Sequence, residues 1–230
     1  RKIYLNFKFF KIVFDQKKII TVNSDLAKNY KKIIPNITVK TIYNGVKHPH
    51  STLESIEIIW DTIYVGRLSS EKQPEHALIA FSKSGLQGRM AFVGDGKLLE
   101  YLKEMSKALG ISNRVDFLGW QSNPEKFIQK SKTLILSSKE EGFGLVISEA
   151  IVLNVPVVSY ACSDGVVFQM SSGELQKGLA EPQNIEDLSE KLYNVVINPY
   201  IIRQSDKERL SIDRMVSELV EIINDVSFPS

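Results

Sequence analysis

The sequence contains a single cysteine, Cys162, in 230 residues. One thiol excludes an intrachain disulfide and a cysteine-based metal cluster, and such sparing use of cysteine is typical of an intracellular protein. The three histidines, His48, His50 and His76, lack the spacing of a zinc site. Because no histidine or lysine neighbours Cys162 in the sequence, we predict a small buried residue at a strand end rather than a nucleophile.

Long apolar runs are also missing. No stretch approaches the ~20 residues that span a bilayer, and no charged start is followed by an apolar run and a small-residue cleavage site. The 29 basic and 27 acidic residues give a net charge of +2, which provides no argument for a nucleic-acid partner. With 43% hydrophobic residues the composition predicts a soluble cytoplasmic domain. The chain begins at Arg1 rather than Met, so we expect a fragment or a processed form.

The first 18 residues are basic and aromatic, and Ile3, Phe7, Phe10 and Phe14 follow helical spacing. A helix of this composition is suited to the headgroup region of a bilayer, which would give a peripheral contact at the inner face of the membrane. The alternative is a helix packed on a sheet with solvated lysines. We favour the alternative because amphipathic helices are common in α/β domains.

Apolar runs typical of buried strands alternate with amphipathic segments through most of residues 61–200. The predicted strands are residues 18–22, 39–42, 61–65, 90–93, 114–118, 133–136 and 156–160. The predicted helices are residues 25–32, 97–109, 144–153, 185–196 and 212–223, a helix that opens near Lys72, and a short helix from Pro124 that Asn123 caps. This order predicts an α/β fold, a Rossmann-like parallel sheet with helices on both faces. Its strands should all end at one edge.

The segment 137–150 joins two of these strands through a turn and a helix. Gly142 and Gly144 remove side chains where the free N–H groups of a helix begin, which lets an anion or a sugar oxygen approach. Glu141 and Glu149 are acceptors for sugar hydroxyls. Together they favour a ligand with phosphate between two polyols, which is a nucleotide sugar. The alternative is a solvent-exposed Glu141 and a helix-surface Glu149. Asn154 is predicted to end the helix in the left-handed conformation.

A second group of candidate residues follows the predicted strand 61–65. Gly66 and Arg67 come directly after this strand, and Lys72 lies at the start of the next helix. Ligands of open α/β sheets bind at the edge where the strands end, and Arg and Lys bind phosphate there. The alternative is two solvated surface cations. Gly94, after the strand 90–93, makes a second glycine turn at the same edge.

Glu141, seven residues and Glu149, with Gly-Phe-Gly inside, resemble the retaining glycosyltransferases of the GT-B fold. The resemblance is to the large family (glycosyltransferase family 4, group 1 glycosyl transferases) whose hallmark is this glutamate pair. It implies that Glu141 accepts hydroxyls of the donor sugar and that Glu149 holds the ribose. It also implies that backbone N–H groups of Phe143, Gly144 and Leu145 face sugar and phosphate.

The same resemblance implies that Arg67 and Lys72 clamp the diphosphate without a metal or other cofactor, and that Trp120 and Gln121 lie against the base. Packing is the alternative for Trp120. The chain departs from the family pattern at two places. Gln73 stands where members usually have glycine after the lysine. Phe168 stands where a glycine-rich turn usually ends in glutamate.

The resemblance further implies two parts of a GT-B enzyme. Residues 1–44 would be the tail of the N-terminal acceptor domain, and residues 45–225 the nucleotide-sugar donor-binding domain. The predicted activity is transfer of a hexose from a nucleoside-diphosphate sugar to a hydroxyl of a saccharide or lipid-linked acceptor, with retention, in polysaccharide or glycolipid biosynthesis. The alternatives are a non-catalytic nucleotide-sugar-binding domain that needs a partner for activity, and a sugar-nucleotide epimerase.

Overall fold

In the computed structural model, the described residues are 18–34, 36–47 and 56–224. The helix predicted within the first 18 residues lies outside these ranges, apart from Lys18. No helix in the described ranges is long and apolar enough to cross a membrane.

The strands of the described residues form two parallel sheets. The smaller sheet pairs β1 with β2, in the register Ile19 to Val39. The larger sheet has six strands in the order β5-β4-β3-β6-β7-β8, all parallel. The strands are β1 (Lys18–Thr21), β2 (Thr38–Thr41), β3 (Trp60–Val65), β4 (Met90–Val93), β5 (Val115–Phe117), β6 (Ser131–Leu136), β7 (Val157–Tyr160) and β8 (Leu179–Ala180).

Helices flank the two sheets. They are α1 (Ser24–Ile33), α2 (Pro74–Lys83), α3 (Leu99–Ala108), α4 (Glu125–Ile128), α5 (Leu145–Val152), α6 (Asp164–Met170), α7 (Ile185–Ile197), α8 (Gln204–Arg209) and α9 (Ile212–Asn224), with two 3₁₀ turns at Ser112–Arg114 and Leu175–Gly178. The apolar runs explain the arrangement, because Ile63, Leu134 and Val158 on the central strands are fully buried. The predicted α/β fold with a parallel sheet is therefore confirmed.

The strand order determines where along the edge of the sheet a ligand is expected to bind. The chain runs outward from β3 through β4 to β5 and then returns, so that β6 lies beside β3 in the register Ile63 to Leu134. A reversal of this kind opens a crevice outside the carboxyl ends of the two adjacent strands, where α/β proteins bind ligands. The loops that carry Arg67 and Glu141 leave β3 and β6 at this crevice.

Most predicted element boundaries agree with the structure within two residues. Asn154 has φ 61°, which confirms the predicted left-handed end after α5. The prediction that Asn123 caps a helix is wrong, because α4 follows Pro124 without a side-chain cap. The sequence reading also missed α8, whose six residues are polar and show no apolar period, and the two-residue strand β8.

The final helix, α9, packs loosely. Met215, Leu219 and Ile222 are half-buried, as predicted for its inward side, whereas Ile223 is exposed. Arg214 connects this helix to the amino-terminal segment, since its guanidinium donates to the carbonyls of Tyr43 and Asn44 at 2.7 and 3.2 Å. Helix α9 is therefore in contact with the segment that follows β2.

Candidate functional site

A cavity of about 470 Å³ opens next to the crevice, between the loops that follow β3, β4 and β5. Its lining includes six of the residues singled out in the sequence, which are Gly66, Arg67, Lys72, Gly94, Trp120 and Gln121. They come from three strand exits, far apart in the chain. The parallel topology brings them together, because every strand of this sheet ends at the same edge.

Lys72 and Glu141 form an ion pair beside this cavity. The Lys72 ammonium lies 2.6 Å from a Glu141 carboxylate oxygen, and their side chains are 23% and 10% exposed. The Ser138 hydroxyl donates to the same oxygen at 2.7 Å. The two loops are also joined through their backbones, since the Lys139 N–H donates to the Glu71 carbonyl at 3.0 Å. Glu141 is therefore a covered carboxylate held by two donors, with further acceptor capacity for a ligand hydroxyl.

Arg67 lies at the open side of the cavity. Its side chain is 70% exposed, and the guanidinium is 3.5 Å from the carboxylate of Glu71, which is four residues further along the loop. An exposed ion pair at this distance contributes little to stability. Its guanidinium is consequently able to turn to an anionic ligand at small cost.

Gly66 and Gly94 allow two strand exits to touch. Gly94 has φ 136°, and a Cβ placed on it would lie 1.9 Å from the Gly66 carbonyl oxygen. Gly94 also donates its N–H to the Gly119 carbonyl at 2.8 Å. Only glycine fits such a position, and this close approach forms the floor of the cavity.

The turn before α5 carries the second glycine motif. Gly144 caps the helix with φ 78°, in the left-handed region that glycine adopts without strain. Phe143 is buried, and its ring packs near Tyr43 and Phe168, with centroids 6.0 and 6.5 Å away. Only its backbone is available to a ligand. Among the described residues, none accepts a hydrogen bond from the N–H groups of Phe143, Gly144 or Leu145.

Glu149 lines a second, smaller cavity of about 250 Å³ with Leu145 and Glu125. Burial raises the pKa of the Glu149 carboxyl, and the negative charge of Glu125 raises it further. An ionised carboxylate kept here without a ligand therefore costs stability. Hydroxyl donors of a ligand would offset this cost.

Replacing Glu149 by glutamine is expected to raise the melting temperature at pH 7. A carboxyl with a raised folded pKa destabilises the fold when ionised, and this penalty disappears as the pH falls below the unfolded value of about 4.3. The advantage of Glu149→Gln should therefore shrink between pH 7 and pH 4. Thermal unfolding at both values checks this, with the exposed Glu190→Gln on α7 as the control. A variant less stable than wild type at pH 7 would contradict the expectation.

Trp120 and Gln121 lie at the rim of the larger cavity. Trp120 is 74% exposed, so the alternative of a packing role for it is wrong. The Gln121 amide donates to the Leu118 carbonyl at 2.8 Å and is thereby fixed beside the cavity. A flat indole at the cavity mouth offers a stacking surface for an aromatic ring.

A profile of the family described as "Glycosyl transferases group 1" matches residues 58–211. The chain belongs to this family. It is 31% identical over 162 residues to an uncharacterised glycosyltransferase of Methanocaldococcus jannaschii, covering 66% of this chain and 39% of the relative. It is also 31% identical over 140 residues to the lipopolysaccharide 1,6-galactosyltransferase of Salmonella typhimurium, covering 58% of this chain and 39% of that protein.

A crystal structure of Anabaena HepE in complex with UDP and glucose shares the fold with a TM-score of 0.77 at 17% identity, covering 97% of this chain and 68% of HepE. The chain spans about half the length of the curated relatives it matches. The residues that match the family, 58–211, are those that form the larger sheet and the helices around it.

The loop after Lys72 keeps a defined conformation although Gln73 stands where members of the family usually have glycine. Gln73 adopts the left-handed φ of 45° that a glycine would adopt freely. Its side-chain amide exchanges two hydrogen bonds with the amide of Gln183, at 2.8 and 2.7 Å. Its carbonyl accepts from the Ser137 hydroxyl at 2.7 Å. These bonds offset the backbone strain of a non-glycine residue.

At Phe168, where the family usually has a glutamate at the end of a glycine-rich turn, the chain forms a helix instead. The segment after Ser163 forms α6, whose first turn is capped by the Ser163 hydroxyl. The Phe168 ring stacks on the Tyr43 ring, with centroids 3.7 Å apart. The Arg209 guanidinium lies over the Phe168 ring, 4.8 Å from its centroid. Phe168 therefore packs against the amino-terminal segment and does not line either cavity that contains the predicted site residues.

Cys162 follows β7, as predicted for a residue at a strand end, but it is half-buried rather than fully buried. Burial, together with the charge of Glu141, raises the pKa of its thiol to about 11. The thiol is therefore protonated at neutral pH and is a poor nucleophile. In the part of the chain that the structure describes, no three His, Cys, Asp or Glu side chains are grouped as a metal site would need.

Sequence reasoning missed several residues that support the site. The Ser138 hydroxyl, the Asn23 amide and the Gln169 amide all contact the turn that carries Glu141 and Phe143. Asn23 and Gln169 are 119 and 26 residues from their partners. No local sequence pattern connects positions so far apart, so only the folded structure identifies them.

Proposed function

We propose that this chain is the nucleotide-sugar-binding part of a retaining glycosyltransferase. It would bind a nucleoside-diphosphate hexose, and the complete enzyme would transfer the sugar to a hydroxyl of a saccharide or lipid-linked acceptor. Polysaccharide or glycolipid biosynthesis is the setting that the lipopolysaccharide galactosyltransferase among the relatives supports. A UDP-linked hexose is the first donor to test, because the HepE structure holds UDP and glucose.

The observation that carries the proposal is the meeting of two cations, a covered carboxylate and a row of free backbone N–H groups at one crevice. Arg67 and Lys72 suit the two phosphates, and Lys72 contacts Glu141 directly. Glu141 retains acceptor capacity for sugar hydroxyls. A phosphate-binding protein has little use for a carboxylate at this place, whereas a nucleotide-sugar-binding protein does.

The chemistry that we propose for these residues is electrostatic. Negative charge grows on the departing diphosphate as the bond to the anomeric carbon breaks, and Arg67, Lys72 and the amino end of α5 stabilise that charge. Two cations and a helix end are able to do so without a divalent metal. Glu141 is not proposed as a general base, since it is already paired with Lys72 and its role is to orient the sugar.

Replacement of Arg67 by alanine is expected to weaken binding of a nucleoside diphosphate about 10- to 100-fold, with a much smaller effect on the nucleoside. Calorimetric titration of wild type and variant with UDP, GDP and ADP, and with the matching nucleosides, checks this. Saturable binding of one diphosphate by the wild type also identifies the base. An equal loss for diphosphate and nucleoside would remove Arg67 from the phosphate site.

Lys177→Ala is the matched control for this variant. Lys177 also forms an ion pair, 3.1 Å from Glu174, but it lies two residues before the start of β8 and so at the opposite edge of the sheet. Its replacement removes the same charge and should leave the affinity unchanged. No binding by a folded wild-type chain would contradict the proposed donor site.

We further propose that residues 1–44 are the end of an acceptor domain and residues 45–225 the donor domain. The short sheet of β1 and β2 would then belong to the first domain. A second candidate is a non-catalytic nucleotide-sugar-binding domain or subunit that needs a partner for activity, and the chain's coverage of about half of its relatives' length favours it. Sugar transfer by this chain alone would exclude that candidate.

A further inference from the structure

We infer that Asn23 and Gln169 are positioning residues that aim the backbone N–H groups of Phe143 and Gly144 at the donor. The inference rests on the proposed function. It concerns two side-chain amides on separate elements, one before α1 and one within α6, which meet the same turn from outside the cavity.

Asn23 fixes the first peptide unit of this turn. Its side-chain nitrogen donates to the Gly142 carbonyl at 2.9 Å, and its side-chain oxygen accepts from the Leu26 N–H at 2.8 Å as the cap of α1. Asn23 is only 6% exposed. One buried amide therefore holds both the start of a helix and a carbonyl 119 residues away.

Gln169 fixes the next peptide unit. Its side-chain nitrogen donates to the Phe143 carbonyl and, at 3.1 Å, to the Gly165 carbonyl, while its oxygen accepts from the Ser148 hydroxyl at 2.5 Å. The side chain is fully buried, so each of its polar atoms is committed to one arrangement.

The geometry of the peptide bond converts these contacts into an orientation. In a planar trans peptide the C=O and the following N–H point in opposite directions. Holding the Gly142 carbonyl against Asn23 therefore turns the Phe143 N–H away from Asn23, and holding the Phe143 carbonyl does the same for Gly144. Neither N–H has an acceptor among the described residues, so both are left for a ligand.

Close packing prevents the turn from relaxing towards α6. A Cβ built on Gly165 would lie 2.6 Å from the Gly142 carbonyl oxygen and 2.9 Å from the Phe143 Cα. The helix can approach this closely only because Gly165 lacks a side chain. Preorganised donors of this kind are effective because no reorganisation is needed when the anion arrives.

Asn23 and the turn that it contacts lie in different parts of the chain. This residue belongs to the segment before residue 45, whereas the turn follows β6 of the large sheet. The donor N–H groups are thus aligned only while the amino-terminal segment is docked. Phosphate recognition in one part of the chain would depend on the placement of the other.

Asn23→Ser separates the two roles of this residue. Serine caps helices about as well as asparagine, but its hydroxyl is too short to reach the Gly142 carbonyl as well. We expect about 3- to 10-fold weaker binding of UDP, or of whichever nucleoside diphosphate the wild type binds, with unchanged affinity for the nucleoside. Asn23→Asp is the second variant, since a carboxylate keeps the cap and the shape but has no proton to donate.

Tyr43→Phe is the matched control. It removes the 2.6 Å hydrogen bond from the Tyr43 hydroxyl to Asp164, which lies in the same contact between the two parts, without touching the Gly142 carbonyl. This variant should keep the diphosphate affinity of the wild type. Gln169→Met tests the second amide and should also weaken the diphosphate selectively, measured at a temperature at which thermal unfolding shows every variant to be folded.

These measurements test the positioning role of Asn23 and Gln169 separately from the proposed nucleotide-sugar binding. A diphosphate affinity unchanged in both Asn23 variants, with a wild type that binds, would overturn the positioning role and leave the proposed function intact. An equal loss in Tyr43→Phe would also overturn it, because general loosening of the contact would then explain the effect. A folded wild type that binds none of the three diphosphates would overturn both.

Discussion

Replacing Lys72 by methionine is expected to lower the rate of sugar transfer about 100- to 1,000-fold in an enzyme that includes this chain and its acceptor domain. Lys72 supplies a positive charge beside the proposed diphosphate site and also holds Glu141 at 2.6 Å. Methionine fills similar space without charge. The variant therefore loses the stabilisation of the leaving group and the orientation of the sugar-binding carboxylate together.

Steady-state kinetics with the donor identified by titration checks this prediction. Because the charge matters most as the diphosphate departs, kcat should fall by more than the donor KM rises. Lys139→Met is the matched control, since Lys139 is an exposed cation two residues from Glu141 in the same loop. A fall in rate that is equally large in Lys139→Met would mean that net charge, rather than the position of Lys72, is responsible.

Gly94→Ala is expected to have the largest effect on stability, a loss of about 3–5 kcal/mol in the free energy of unfolding. A Cβ on Gly94 would lie 1.9 Å from the Gly66 carbonyl, and the backbone there has φ 136°. Backbone atoms cannot move aside as a flexible side chain can. The two strand exits must therefore separate, which also deforms the floor of the proposed donor cavity.

Gly85→Ala isolates the conformational part of this effect. Gly85 also has a positive φ, 78°, but a Cβ on it would meet no atom within 4 Å. Its replacement should cost only about 1–2 kcal/mol, the strain of a left-handed alanine. Urea-induced unfolding of both variants gives the comparison. Similar losses of unfolding free energy in the two variants would show that the close contact between Gly94 and Gly66 does not contribute to the effect of Gly94→Ala.

The ends of the strands were predictable because their signal is local. Residues 90–93 are four apolar residues followed by Gly94, and the structure places β4 at Met90–Val93. Right-handed crossovers then require all strands to end at one edge, so the gathering of Gly66, Gly94 and Trp120 at a single cavity follows from the alternation of strands and helices. The family resemblance independently predicts that the ligand binds at these strand ends.

Local signals were insufficient where a side chain depends on a distant partner. The left-handed conformation of Gln73 is tolerated because Gln183, 110 residues away, matches its amide. Trp120 could be packed or exposed on its sequence alone, and its 74% exposure results from the arrangement of neighbouring loops. Likewise, the spacing of Glu141 and Glu149 does not reveal that Glu149 lines the smaller cavity, whereas Glu141 is paired with Lys72 beside the larger one.

The sequence by itself determined the parallel α/β architecture, the family and the strand ends that carry the candidate residues, since each depends on local periodicity or on a short motif. Only the tertiary structure decided that Lys72 holds Glu141, that Glu149 lies beside Glu125, and that Asn23 reaches the Gly142 carbonyl. The physical reason is that hydrogen bonds and charge pairs act over a few ångströms in space, and a sequence records only distance along the chain.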